Sequence, residues 1–142
     1  SDKNLVMMVT APKKEGIKNC KLIYSPPRKN QDDDNVYLST DPNFKNMSFK
    51  KYAKEINRYP NDYFDFIFID GRARNGCIIN SFQKIKNGGY LLLDNSDRPE
   101  YSIGTKRLKE YKNYKFFGSV PCLNYQYETT IWQFNKNTIK NI

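Results

Sequence analysis

The sequence predicts an α/β protein built on a mostly parallel sheet, with helices on both faces and an antiparallel last strand. Three observations carry this. Two apolar runs, Phe64 to Ile69 in YFDFIFIDGRAR, interrupted only by Asp65, and Tyr90 to Leu93 in GGYLLLDNSDR, are bounded by Gly and Asp and joined by one short helical stretch. Continuous apolar strands of this kind suit sheets covered on both sides. Each run ends in a carboxylate, which places Asp70, Asp94 and Asn95 at one sheet edge, and ligands of open α/β sheets bind outside the carboxyl ends of the strands. Lys115 to Val120 and Thr129 to Phe134 then alternate or run apolar, with a linker short enough for an antiparallel return.

From the amino terminus, Leu5, Met8 and Val9 have helical spacing behind a cap at Asp2, with Pro12 and Gly16 closing the segment. A short strand, Lys21 to Tyr24, is expected next. The polar stretch SPPRKNQDDDN reads as a loop, and its three consecutive aspartates read as a solvated charge run in preference to a cation site. Phe49, Tyr52, Ala53 and Ile56 recur at i, i+3, i+4 and i+7, predicting an amphipathic helix from Ser48 to Tyr59 that Pro60 stops. Ile78, Phe82 and Ile85 mark the inner face of a second helix, whose end is signalled by Lys84, Lys86 and Gly88. A loop from Asn95 to Tyr101 leads to a weaker helix carrying Leu108 and Tyr111. The tail from Asn135 is polar and is expected to fray.

Residues 1–142 make one domain by length, enough for a real core. Charged residues at 27% and apolar ones at 38% describe a soluble globular protein, with aromatics at 15% supplying much of the core. No run approaches the roughly 20 apolar residues of a membrane span. The start, SDKNLVMMV, has no basic leader or cleavage region, so a cytoplasmic location is expected. Cys20, Cys77 and Cys122 are odd in number and far apart, which indicates reduced, buried thiols and neither a disulfide framework nor a zinc site. The absence of histidine removes the commonest general base together with Ser/His and Cys/His nucleophile pairs. Proton transfer falls to carboxylates, Lys, Tyr or water.

A net charge of +9 raises the question of nucleic acid. Lysines outnumber arginines three to one and are scattered through almost every segment, so a solvated basic surface is the preferred reading and nucleic acid is not expected as a partner. Lys13, Lys14, Lys18 and Lys21 can still form a local patch.

The order of elements resembles the second half of a class I S-adenosylmethionine-dependent methyltransferase, with DFIFIDGRAR, IKNGGYLLLDNSDR and ETTIWQF resembling its fourth, fifth and seventh strands and their flanks. The resemblance covers nearly the whole chain from Asp2 onward. It implies a partial Rossmann-like methyltransferase sheet, in which the family's strand order is 3-2-1-4-5-7-6 with the seventh antiparallel. The family's first strand, GxGxG turn and ribose-binding acid have no counterpart here, so the domain is expected to be incomplete, part of a longer protein, with no residue assigned to S-adenosylmethionine.

The resemblance further implies that Asp70, Asp94 and Asn95 look like the metal triad of catechol O-methyltransferase-type enzymes. Two carboxylates and an amide carbonyl are hard oxygen ligands suited to Mg²⁺ or Ca²⁺, and such a metal would hold a substrate hydroxyl and lower its pKa. The alternative is that these oxygens pair with Arg72, Arg74 or Arg98. Metal-dependent relatives carry a lysine base three residues after the first aspartate, where this chain has Ala73. Asp70 and Asp97 are therefore the catalytic candidates, and Arg72, Arg74, Arg98 and Tyr101 the substrate contacts.

Two functions follow as expectations. The first is the carboxyl-terminal part of a methyltransferase, a metal-assisted O-methyltransferase of a small hydroxylated or anionic molecule. The second is a catalytically inactive remnant that binds protein or nucleic acid through its basic surface. A strand left without a neighbour at Phe66 to Ile69 also predicts a homodimer through that edge.

Overall fold

The structure, a computed structural model, describes residues 5–9, 20–31, 33–119 and 125–137. The expected cap at Asp2, the closing Pro12 and Gly16, the lysines Lys13, Lys14 and Lys18, and Asp32, Cys122 and the end of the tail lie outside them. Among the described residues no helix is long and apolar enough to cross a membrane.

Leu5–Val9 is a strand, β1, where a helix was expected. Five residues are too few to separate a helical from a strand period in an apolar run. The backbone of β1 pairs in parallel with β2, Cys20–Tyr24, from Leu5↔Cys20 to Val9↔Tyr24. In the polar segment that follows, β3 (Arg28–Lys29) pairs antiparallel with β4 (Met47–Ser48). Two of the three aspartates there bind protein groups. Asp33 accepts from Lys50 Nζ at 2.8 Å and from Ser48 Oγ, and lies 3.4 Å from Arg28. Lys50 and Ser48 chiefly, against burial, hold its carboxyl at about 2. Asp34 caps a 3₁₀ turn through the Val36 N–H at 3.1 Å.

The helix expected over Ser48 to Tyr59 is α1, Lys50–Lys54, tightening into a 3₁₀ turn at Glu55–Arg58. Its periodic residues Phe49, Tyr52, Ala53 and Ile56 are all buried. The second helix, α2, spans Arg74–Ser81 and stops before Ile85. The third is a single turn, α3 at Ser102–Thr105, with 3₁₀ turns on either side at Pro99–Tyr101 and Lys106–Leu108.

Four strands, β5 (Phe64–Ile69), β6 (Ile85–Leu93), β7 (Lys112–Ser119) and β8 (Gln126–Gln133), form one sheet in the order β5-β6-β8-β7. Ile85 is the first residue of β6, paired with Phe64, and not the last contact of a helix. The signals read as a helix end, Lys86 and Gly88, lie in a bulge. Phe64 pairs with Ile85 and Phe66 with Tyr90, so two steps on β5 face five on β6. Gly88 takes φ +83° there, a left-handed conformation that glycine adopts without steric cost.

The β5–β6 pairing is parallel, whereas β8 lies antiparallel to both β6 and β7. The described helices pack on one face, where Ile69, Leu91, Leu93 and Trp132 meet Phe49, Ala53, Ile78 and Leu108. On the other face Phe66, Phe68, Tyr90, Tyr114 and Phe116 are exposed. The expected Rossmann-like methyltransferase sheet, mostly parallel with helices on both faces, is thus overturned: the sheet is mixed, is helix-covered on one face, and stands beside two separate two-stranded sheets. The physical reason is local. Eight consecutive residue pairs join β7 to β8, and because an antiparallel return needs no helical crossover, among the described residues this half of the sheet supplies no helix to cover the second face.

Candidate functional site

Because β5 and β6 are parallel neighbours, the residues that follow them emerge side by side. Ile69 pairs with Leu93, and the Asp94 N–H donates to Ile69 O at 3.2 Å, extending the ladder to the last position before the site. Asp70 and Asp94 stand together beyond it. The chain then turns through Gly71 into α2, with Ala73 at φ 48° just before the first helical residue. That left-handed turn aims Arg74 back at the strand ends. On the neighbouring strand, Asn95 is also left-handed, at φ 51°, a conformation that asparagine tolerates better than most residues.

Arg74 organises the edge. Its Nη2 donates to Asp70 Oδ1 at 3.0 Å and its Nε to Gly71 O at 3.0 Å. Nη1 donates to the Asp94 backbone O, and reaches Asn95 Oδ1 at 3.5 Å. The guanidinium is buried and lies 5.1 Å from the centre of the Tyr101 ring. A planar fork with five fixed donors fits such a set of oxygens, as a lysine would not. Asp94 Oδ1 is separately held by Thr129 Oγ1 at 2.8 Å.

This geometry decides between the two readings of the strand-end oxygens. The cation that joins Asp70, Asp94 and Asn95 is Arg74, so the set does not fit Mg²⁺ or Ca²⁺ with the guanidinium in place. Among the described residues no group of three or more His, Cys, Asp or Glu is placed to hold a metal ion. None of the described residues is assigned to S-adenosylmethionine. The chain has no GxGxG turn, and the carboxylates and guanidinium of this edge are side chains that can face a second, polar molecule.

Asp70 keeps half its side chain in water despite the ion pair. Its carboxyl titrates above the usual range: burial is the main cause, the Asp94 carboxyl adds to it, and Arg74 opposes both. Beneath the turn, Tyr52 is buried, and burial pushes its phenol well above the ordinary value. A Cβ built on Gly71 would lie 2.3 Å from the Tyr52 hydroxyl, so only glycine fits between Asp70 and α1.

The other sequence candidates are distributed differently. Arg72 turns away from Asp70 to pair with Asp41 at 2.8 Å and to cover the Phe44 ring. Tyr101 is buried beneath Arg74, with its hydroxyl hydrogen-bonded to Arg98. Arg98 and Asp97 are exposed at the rim, and Asp97 Oδ1 accepts weakly from the Glu128 N–H at 3.4 Å. Four participants were not read from the sequence: Tyr52, Thr129, Ser96 and Glu128. Ser96 and Lys115 hold the buried Glu128 carboxylate at 2.9 and 3.1 Å, and with Thr130 they outweigh burial to keep its titration low. Only strand alternation hinted that Glu128 and Thr130 share a face with Trp132.

A cleft of about 420 Å³ opens at the other end of β6, lined by Asn87, Gly88, Tyr111, Lys112 and Phe134 among others. Its amide oxygens serve the local backbone, Asn87 accepting from Lys136 N–H and Asn135 from Asn137 N–H. No protein-family model and no curated protein matches the sequence.

Proposed function

We propose that the edge formed by Asp70, Asp94 and Asn95 is the acceptor-binding side of an S-adenosylmethionine-dependent methyltransferase site, with a small hydroxylated or anionic molecule as acceptor. The observation that carries this reading is Asp70 itself: half-exposed at the end of a parallel strand, with a raised proton affinity, and anchored from behind by a buried arginine. A carboxylate in that state is suited to accept a proton from a bound hydroxyl as the oxygen becomes a nucleophile. Arg74 fixes the geometry and offsets the charge of two neighbouring acids. Arg98, exposed beside Tyr101, supplies an attraction for an anionic substituent. The cofactor, when bound, supplies the methyl group; the chain's own residues orient the acceptor and hold its proton.

The test is an NMR titration of the protein with catechol and with hydroxybenzoates, alongside labelled S-adenosylmethionine. Amide shifts clustered at Gly71, Asn95 and Ser96, lost in Asp70→Asn, are expected. Label transferred to the acceptor is the second readout. Shifts elsewhere, or shifts that survive Asp70→Asn, refute the acceptor site. Bound acceptors that are never methylated refute methyl transfer.

A further inference from the structure

Strand registers define which residues share the face opposite the helices. One row crosses all four strands as Phe68, Leu92, Ile131 and Tyr114, and the row beside it as Phe66, Tyr90, Gln133 and Lys112. Phe116 follows Tyr114 on the same face of β7, two residues on. The first row is apolar from edge to edge. Lys112, at the rim, is the single charged residue in the two rows, and its Nζ lies 5.1 Å from the centre of the Tyr114 ring.

The exposure is large. Phe66, Phe68 and Phe116 are 51%, 57% and 55% exposed, with Tyr90 at 38% and Tyr114 at 42%. At roughly 200 Å² per aromatic side chain these five present ~500 Å² of ring surface to water, near the top of the range tolerated on a monomer. Two such faces brought together bury about 1,000 Å², the lower bound for a specific protein interface.

We propose that this face is the interface of a homodimer, two copies packing sheet against sheet about a two-fold axis. Three features select a second copy as the occupant. The face carries almost no charge in a chain of net charge +9, so an acidic partner would be drawn to the lysines elsewhere and not to these rings. Two copies meeting here desolvate rings and not ammonium groups, which keeps like charges at the rim. The same chain also supplies a complementary surface of equal size, as a two-fold contact requires. The inference is independent of the proposed methyl transfer, because it rests on the two aromatic rows and not on Asp70, although Thr129, which holds Asp94, shares this face opposite Phe116.

Sedimentation velocity across a concentration series tests it, on wild type and on Phe68→Lys, Phe116→Lys and Phe117→Lys, each checked for folding by thermal melting. Phe117 is 67% exposed but points to the helical side of β7, opposite Glu128, and serves as the face-specific control. The expected result is a wild-type dimer whose dissociation constant rises at least about 100-fold in Phe68→Lys and in Phe116→Lys and stays unchanged in Phe117→Lys. Phe116→Lys, on the outermost strand, carries the test if Phe68→Lys fails to fold. A wild type that stays monomeric at every concentration, whatever else covers the face, overturns the proposal. So does a dimer that survives the two face variants, as pairing through the β5 edge would, or one that Phe117→Lys weakens equally.

Discussion

Replacing Arg74 by Met keeps the length of the side chain and removes its charge and donors. Two backbone acceptors, Gly71 O and Asp94 O, lose charge-assisted hydrogen bonds in a partly buried setting, a loss of about 2 kcal/mol after partial rescue by water. The Asp70 ion pair adds only ~1 kcal/mol, because half of the Asp70 side chain is solvated and screened. The expected penalty near neutral pH is therefore about 3 kcal/mol. Its pH dependence has a definite sign. Burial and Asp94 raise the Asp70 pKa while Arg74 lowers it, so without Arg74 the native carboxyl holds its proton to higher pH still. At about pH 3, below even the ordinary carboxylate pKa, Asp70 is largely protonated in both proteins and only the lost carbonyl bonds count. As pH rises the wild type ionises against a guanidinium and the variant against nothing, so the penalty grows through that window and levels off above it. Urea denaturation at about pH 3 and about pH 8 measures both values. A penalty below about 1 kcal/mol, or one larger at the acid end, would show that Arg74 does not hold this edge together.

Three further outcomes are expected. Gly71→Ala forces a Cβ to 2.3 Å from the Tyr52 hydroxyl and should cost about 1–3 kcal/mol, with much of the loss recovered in the double variant carrying Tyr52→Phe; additive losses in a double-mutant cycle would refute the contact. Asp33 has its carboxyl lowered to about 2, so its contribution is present above the unfolded carboxylate pKa and disappears as pH falls through the folded one. Asp33→Asn should accordingly lower the melting temperature at neutral pH and lower it much less near pH 2, and an equal drop at both would contradict the assignment. The Cys77 thiol is buried and pushed up to about 12, chiefly by burial. In a Cys20→Ser, Cys122→Ser background it should react with a thiol reagent at the rate of unfolding, and rapid labelling of native protein would rule out its burial.

The strands that flank the site were legible because Phe66 to Ile69 and Leu91 to Leu93 are unbroken apolar runs closed by Asp, a pattern that survives any tertiary arrangement. The contacts of α1 were legible too, since Phe49, Tyr52, Ala53 and Ile56 repeat at helical spacing. Leu5–Val9 was not, because five apolar residues satisfy either period and only pairing with Cys20–Tyr24 decides. Sheet direction and helix coverage were misjudged together. An apolar strand announces that it can be buried on both faces, but Phe66 and Phe68 show that the described helices need not do it. At the site, Asp70 and Asp94 follow from strand ends, whereas the inward turn of Arg74 depends on the left-handed Ala73, which composition does not reveal. Thr129 and Tyr52 come from distant segments and carry no local signal at all.

The bulge in β6 bears on how this protein can change over time. Lys86 to Gly89 let the strand gain three steps on its partner before Tyr90 re-enters the ladder opposite Phe66. From Tyr90 onward the register is pinned independently from the other side, by β8 through Tyr90↔Gln133 to Leu93↔Thr130. A residue gained or lost within Lys86–Gly88 can therefore be absorbed where it occurs, without flipping Leu91 and Leu93 out of the core or moving Asp94 off its edge. Gly89 marks the limit of that freedom, since a Cβ there would come within 2.9 Å of Asp65 O on the neighbouring strand. Length variation among descendants of this sequence, and loops grafted by design, should accumulate at the three residues before Gly89 and stop there.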